Sequence, residues 1–312
     1  MLHRAARILA RIALLSAASL AALWLFAERG RLLRPSTRTW IQAWGGGRAL
    51  LNPKFWEGYA YARWSNQYIG WTIRYLFPRL RPDPGNPRWA TVYHGKVLRT
   101  ADARRLISVE QPIRRELEQV IPYPVAREIV LSGSPEIVAY ECPCRSARQN
   151  PCQPTQVCLV VGQPFVDFVL EHNPHSSRRL TRQEALDLLQ AEHGRGHIHA
   201  AYFKDVMLNR FYAICNCCAC CCGGIESMTR LGVPMLISSG YVAQVNEEAC
   251  LACGTCAEAC PFGAIQVGGW AALVDRDQCM GCGVCEGQCP EGAIALVLDA
   301  SKPPPLDVQQ LM

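Results

Sequence analysis

The eighteen cysteines of this 312-residue chain fall into groups. Cys250, Cys253, Cys256 and Cys260 precede Pro261, and Cys279, Cys282, Cys285 and Cys289 precede Pro290. Each set reads C-x2-C-x2-C-x3-C-P, the spacing that wraps a loop around a cubane iron–sulfur cluster. Three thiolates two residues apart converge on one cluster, while the following helix carries the fourth away toward the other. The spacing therefore predicts one [4Fe–4S] cluster on Cys250, Cys253, Cys256 and Cys289, and a second on Cys279, Cys282, Cys285 and Cys260. Zinc knuckles or a disulfide framework would leave the third cysteine and the Cys-Pro step of each ladder without a role.

The two ladders are halves of an internal repeat with a period of 29 residues, Tyr241 to Val267 and Trp270 to Val297. Each half runs strand, acidic residue, cysteine ladder, Cys-Pro, then Gly-Ala-Ile. At every ligand position the repeat resembles the bacterial 2[4Fe–4S] ferredoxin domain, over roughly residues 240–298. The resemblance implies a small pseudo-symmetric α+β fold whose two clusters lie close enough for electrons to hop between them.

Ten cysteines remain, in two further groups. Cys142-Pro143-Cys144-Arg145 follows an apolar segment, with Cys152 and Cys158 downstream. Later, Cys215-Asn216-Cys217-Cys218-Ala219-Cys220-Cys221-Cys222 contains C-x2-C-x2-C spacing at Cys215, Cys218 and Cys221, with Cys217 and Cys220 interleaved. Adjacent side chains point apart, so these six are not expected to bind one ion. At least one additional iron–sulfur cluster is predicted here, with structural zinc or reduced thiols as the plainer reading. So many thiolates imply a reducing compartment. His193, His197 and His199 lie close by in H-G-R-G-H-I-H and are candidate ligands or hydrogen-bond donors to cluster sulfur. Arg145, directly beside Cys144, is placed either to steady a negative cluster or simply to be solvated.

The E-C-P-C-R segment, the later glycine–histidine segment and C-N-C-C-x-C-C-C, just upstream of the repeat, resemble a group of multi-cluster ferredoxin-like proteins best known from anaerobic bacteria, over roughly residues 120–298. That resemblance implies a redox role and an extra iron–sulfur site without naming a reaction.

The elements that carry these thiols read as an α+β chain of several parts. Residues 88–239 suit a cysteine-rich α/β domain. Within it, a helix is expected at Pro122 to Leu131 and a buried strand at Glu136 to Tyr140. Thr181-Arg182-Gln183-Glu184 is a capping box opening a helix that ends near Gly194. Another apolar run spans Phe211 to Ile214. Residues 240–298 are the ferredoxin domain, 299–312 a C-terminal tail, and R-P-D-P-G-N-P at 81–87 a turn-rich linker.

The net charge of +6 conceals an asymmetry of +15 over residues 1–115 against −9 over the remainder. A basic, aromatic-rich beginning suits an anionic membrane surface, and no RNA- or DNA-binding motif supports nucleic acid instead. The acidic cysteine-rich end would favour a basic redox protein partner. Ile12 to Ala27 is an uncharged apolar run of 16 residues, extended to 20 from Ile8 if Arg11 snorkels. Spanning a bilayer needs roughly 17–25 residues, so an uncleaved anchor is a marginal expectation. Arg4, Arg7 and Arg11 before the run also fit a signal peptide, but the sequence stays apolar beyond the best cleavage position. Arginines flank both ends, so charge does not set orientation. Asn52-Pro53 then opens a helix rich in Trp and Tyr, up to Pro78. It suits the membrane interface or packing on a core. Residues 1–81 are thus expected to be membrane-associated helices, with the iron–sulfur domains on the cytoplasmic side.

No glycine-rich dinucleotide fingerprint, P-loop or nucleophile elbow is present, so NAD or flavin is not expected. Electron transfer to or from a redox partner is the function these features favour. A catalytic oxidoreductase with its site among the middle cysteines, and a redox or iron–sulfur sensor, are the alternatives.

Overall fold

The computed structural model describes residues 2–311. Its scaffold is a nine-stranded mixed sheet ordered β6-β4-β5-β8-β7-β1-β9, with β3 joining β8 and β2 pairing with β3. The strands are β1 (Tyr93–Leu98), β2 (Pro112–Glu116), β3 (Glu128–Ser132), β4 (Ile137–Glu141), β5 (Gln156–Val161), β6 (Ser177–Leu180), β7 (Ile198–Lys204), β8 (Arg210–Cys217) and β9 (Leu236–Ile237). The ferredoxin-like end adds β10 (Tyr241–Val245), β11 (Ile265–Gly268), β12 (Ala271–Val274) and β13 (Ile294–Leu298). The helices are α1 (Leu2–Ala27), α2 (Pro35–Ala43), α3 (Pro53–Arg63), α4 (Ser65–Trp71), α5 (Arg88–Val92), α6 (Thr100–Ile107), α7 (Pro143–Ser146), α8 (Phe165–His172), α9 (Arg182–Gly194), α10 (Gly223–Leu231), α11 (Thr255–Ala259) and α12 (Val284–Gln288).

Because strand side chains alternate, the sheet feeds two cores. Val138, Tyr140, Val160, Ala200 and Tyr202 face α8 through Phe165 and Phe168. Ile137, Ala139, Leu159, Ala201 and Phe203 face the opposite way, onto α6 and α9. Helix α9 starts as its sequence requires: Thr181 accepts from the Glu184 backbone N–H and the Glu184 carboxylate accepts from the Thr181 N–H.

The segment expected as a helix at Pro122 to Leu131 is instead irregular up to strand β3. Pro122 and Pro124 disrupt a helical start, and Ile129 and Leu131 are buried with exposed or half-exposed neighbours between them, the period of a strand.

The first eighty residues do not form a separate unit. Trp40, Phe55 and Tyr59 are buried in one core with Phe165 and Phe168, and Trp40 lies 4.8 Å from Phe168 between ring centroids. Buried Glu28 anchors this junction, accepting from Tyr59 Oη at 2.6 Å, Thr37 Oγ1 at 2.8 Å and the Arg34 N–H at 2.6 Å. The aromatic segment after Pro53 therefore packs on the core with one face, while Trp56, Trp71 and Tyr75 remain exposed.

The apolar run does form helix α1, and Leu14 and Phe26 on it are 72% and 68% exposed. Among the described residues no helix is long and apolar enough to cross a membrane, which removes the support for a spanning anchor: the uncharged run is shorter than a bilayer requires. The side chains of residues 2–10, including Arg4, Arg7 and the Ile8 extension, lie outside the described ones. The expected linker is pinned, the Asp83 and Gly85 N–H groups donating to Leu231 O and Gly232 O. The tail is also fixed, with Leu306 and Val308 buried and Lys96 Nζ donating to Pro304 O at 2.7 Å.

Candidate iron–sulfur sites

The C-terminal repeat folds as two interlocked halves. Antiparallel β10–β13 joins the start of the first half to the end of the second, and β11–β12 pairs across the middle. Gly254 and Gly283, at φ +84° and +80°, stand immediately before α11 and α12. A left-handed residue there turns each cysteine loop into its helix, and glycine adopts that conformation without strain.

This interlocking places each Cys-Pro cysteine beside the other half's ladder. Cys250, Cys253, Cys256 and Cys289 line one cavity, and Cys260 adjoins Cys279, Cys282 and Cys285. Backbone N–H groups point at the thiol sulfurs with the same symmetry: Ala264 N to Cys260 Sγ at 3.4 Å and Ala293 N to Cys289 Sγ at 3.3 Å. Ala243 N adds a bond to Cys279 Sγ at 3.4 Å. Convergent thiols that already receive N–H donors suit thiolate-bound [4Fe–4S] clusters, since such bonds stabilise negative sulfur.

The two sites differ in exposure. Cys253 is exposed, whereas Cys279, Cys282 and Cys285 are buried. Burial, with the neighbouring cysteines adding to it, pushes the Cys282 thiol well up and the Cys285 thiol up to about 12, so a nearby positive charge or metal is needed to hold them as thiolates. The Cys279 site is also the one nearest the middle domain, for α12 packs on α9. At that contact a Cβ on Gly287 would come within 2.5 Å of His193 Nε2, and Gln288 Nε2 donates to Gly194 O at 3.2 Å.

The ten middle cysteines divide into two sets. Six form a closed ring in which each thiol biases the protonation of two others, in the order Cys142, Cys144, Cys222, Cys217, Cys215, Cys158 and back to Cys142. The sheet builds this ring. Cys142 directly follows β4 and caps α7, Cys158 lies on β5, and Cys215 and Cys217 point to one face of β8 with Asn216 between them on the other. Short helix α7 brings Cys144 in, and the start of α10 brings Cys222. Hydrogen bonds from Cys144 and Cys158 lower the Cys142 thiol well below its ordinary range, and bonds from Cys144 and Cys217 do the same for Cys222. The donors Cys144 and Cys217 are pushed up correspondingly.

The ring faces an apolar cavity of about 610 Å³, walled by Tyr61, Tyr93, Tyr140, Tyr202 and Tyr212 and roofed by α4. Tyr61 and Tyr212 share a hydrogen bond at 2.7 Å, and Tyr140 accepts from Ser65 at 2.8 Å. Lys204 Nζ lies 5.2 Å from the Tyr61 ring centroid on the same wall.

Cys152, Cys218, Cys220 and Cys221 stand outside the ring. Cys152, Cys218 and His197 offer ligand atoms all within 4.8 Å of one another, as do Cys218, Cys220 and Cys221. Arg145 is not solvated: fully buried, it donates to Glu192 Oε2 at 2.8 Å and to Asn216 O at 3.1 Å. Burial opposes its charge, but the Glu192 hydrogen bond together with the negative charge of Glu192 and the nearby Cys218 and Cys142 outweighs that and raises its pKa. The three candidate histidines separate. His197 joins the outer thiols; His199 Nδ1 bonds Asn216 Oδ1 at 2.6 Å on the far face; His193 bonds Thr100 at 3.0 Å and faces the ferredoxin-like end. Glu192, which holds both Arg145 and His197, carries no motif that marks it in the sequence.

No curated protein matches the chain. Residues 243–266 and 272–295, the two halves just described, each match the family described as the 4Fe-4S binding domain. The C-terminal part of this chain thus carries two adjacent 4Fe-4S binding repeats, consistent with a 2[4Fe–4S] ferredoxin domain, a type of domain that in general supports iron–sulfur electron transfer.

Proposed function

We propose that the chain is an electron-transfer protein that exchanges electrons with a redox protein partner. Its ligands are Cys250, Cys253, Cys256 and Cys289 for one [4Fe–4S] cluster and Cys279, Cys282, Cys285 and Cys260 for the other. A further iron–sulfur cluster belongs to the six-thiol ring of the middle domain. The observation that carries this reading is the convergence of thiols in all three places, with backbone N–H groups aimed at the ferredoxin sulfurs. When bound, the clusters supply one-electron transfer. The protein's part is to hold them in order, with exposed Cys253 on the outward side and the buried Cys279 site against α9. Helix α1 attaches the protein to an anionic lipid surface, since its exposed leucines are followed closely by exposed Arg29, Arg31 and Arg38. The iron–sulfur domains then lie on the cytoplasmic side.

The cavity supports a second reading, a catalytic oxidoreductase. An apolar space of about 610 Å³ with the six ring thiols and Cys218 on its wall could seat an apolar substrate beside the redox group. Replacing Cys142 and Cys144 together by Ser tests the ring. Loss of about four iron and four sulfide with intact ferredoxin resonances supports it; unchanged iron refutes a cluster there.

A further inference from the structure

We infer that Cys152, His197, Cys218 and Cys221 hold one mononuclear divalent metal ion, zinc or ferrous iron, in a site separate from the six-thiol ring and from both ferredoxin sites. The distances distinguish it. Zn–S and Zn–N bonds of about 2.3 and 2.0–2.1 Å place neighbouring ligand atoms of a tetrahedral site about 3.5–3.8 Å apart. Cys152 Sγ lies 3.6 Å from His197 Nε2. Cys152, His197 and Cys218 are mutually within 4.8 Å; Cys221 reaches Cys218 within the same distance, in a second group with Cys220, without joining all of the first three. No three ferredoxin thiols form so tight a group, as expected where each thiolate binds a different iron of a cubane. Cys221 accepts from the Cys152 N–H at 3.5 Å, which draws the turn at Cys218–Cys221 onto the Cys152 loop.

The surroundings orient the imidazole for coordination. His197 Nδ1 donates to Glu192 Oε2 at 2.7 Å, so Nε2 is left as the electron-pair donor facing Cys152. A carboxylate behind a ligating histidine is the arrangement that fixes its tautomer and raises its basicity. Glu192 is itself fully buried and held by Arg145 at 2.8 Å, so this orientation is rigid. Cys220 is exposed and is left out of the set.

The test measures metals and acid-labile sulfide together on the anaerobically purified full-length protein, grown with added zinc. Sulfide separates cluster iron from a lone ion. Wild type should carry one zinc or iron beyond its sulfide-matched iron. Cys218→Ser and His197→Gln should each lose that ion and keep the sulfide count, while Cys220→Ser keeps both. Should Cys218→Ser lose its ferredoxin resonances through misfolding, His197→Gln decides. Joint loss of about four iron and four sulfide in these variants would overturn the proposal, as would wild type without the extra ion. Retention of the ion in Cys221→Ser with its loss in Cys220→Ser would overturn the assignment of the fourth ligand.

Discussion

Replacing Arg145 by Met should destabilise the protein by about 3 kcal/mol or more, the lower end of the range for breaking a buried ion pair. Arg145 has essentially no exposure, and its guanidinium meets Glu192 at 2.8 Å and the Asn216 carbonyl at 3.1 Å. Removing it leaves the Glu192 carboxylate buried. Partial compensation remains, for Arg195 reaches Glu192 Oε1 at 2.7 Å and His197 reaches Oε2 at 2.7 Å, hence the lower end. Replacing both partners, Arg145→Met with Glu192→Leu, should recover a large part of the loss, because the uncompensated charge is then gone. Urea unfolding of the anaerobic protein, followed by far-ultraviolet circular dichroism, reads both variants. A single-variant loss below about 1 kcal/mol, or a double variant no more stable than the single, would refute the view that this pair is a buried, coupled unit.

Acid should destabilise the fold through His94, whose burial lowers its pKa from 6.5 to about 4. Below pH 6.5 the unfolded chain takes up a proton that the folded one refuses, so stability falls between pH 6.5 and 4, by about 2 kcal/mol from pH 7 to pH 5. His94→Gln should flatten that slope in urea titrations, and an unchanged slope would remove His94 as its cause. Cys260→Ala should disturb the cluster of Cys279, Cys282 and Cys285, read by electron paramagnetic resonance; damage confined to the Cys250 cluster would contradict crossed ligation. Deleting residues 1–22, just ahead of Trp24 and its stack on Tyr59, should abolish co-sedimentation with anionic vesicles while leaving the brown protein folded, and persistent pelleting would place the attachment elsewhere.

The ferredoxin domain was legible because each of its ligands is fixed by local spacing, and the 29-residue repeat names its own partner half. The capped helix at Thr181 and the strand expected at Glu136 to Tyr140 were legible for the same reason: caps and alternation are written within a few residues. The middle cysteines were not. Cys217 and Cys218 are neighbours in sequence yet serve different sets, because β8 ends between them and the chain turns away. Likewise, the link from Glu192 to His197 depends on where α9 ends and β7 begins, and no periodicity reports it. The first eighty residues are ambiguous in sequence because aromatic helices of that composition suit either an interface or a core. Only the packing of Trp40 and Tyr59 on α8 distinguishes the two.

Iron, zinc and acid-labile sulfide counted on one anaerobic preparation test the account most directly. Three clusters predict about twelve iron and twelve sulfide per chain, with one further metal ion unmatched by sulfide. About eight of each would confine the clusters to the ferredoxin domain and contradict the assignment of a cluster to the six-thiol ring.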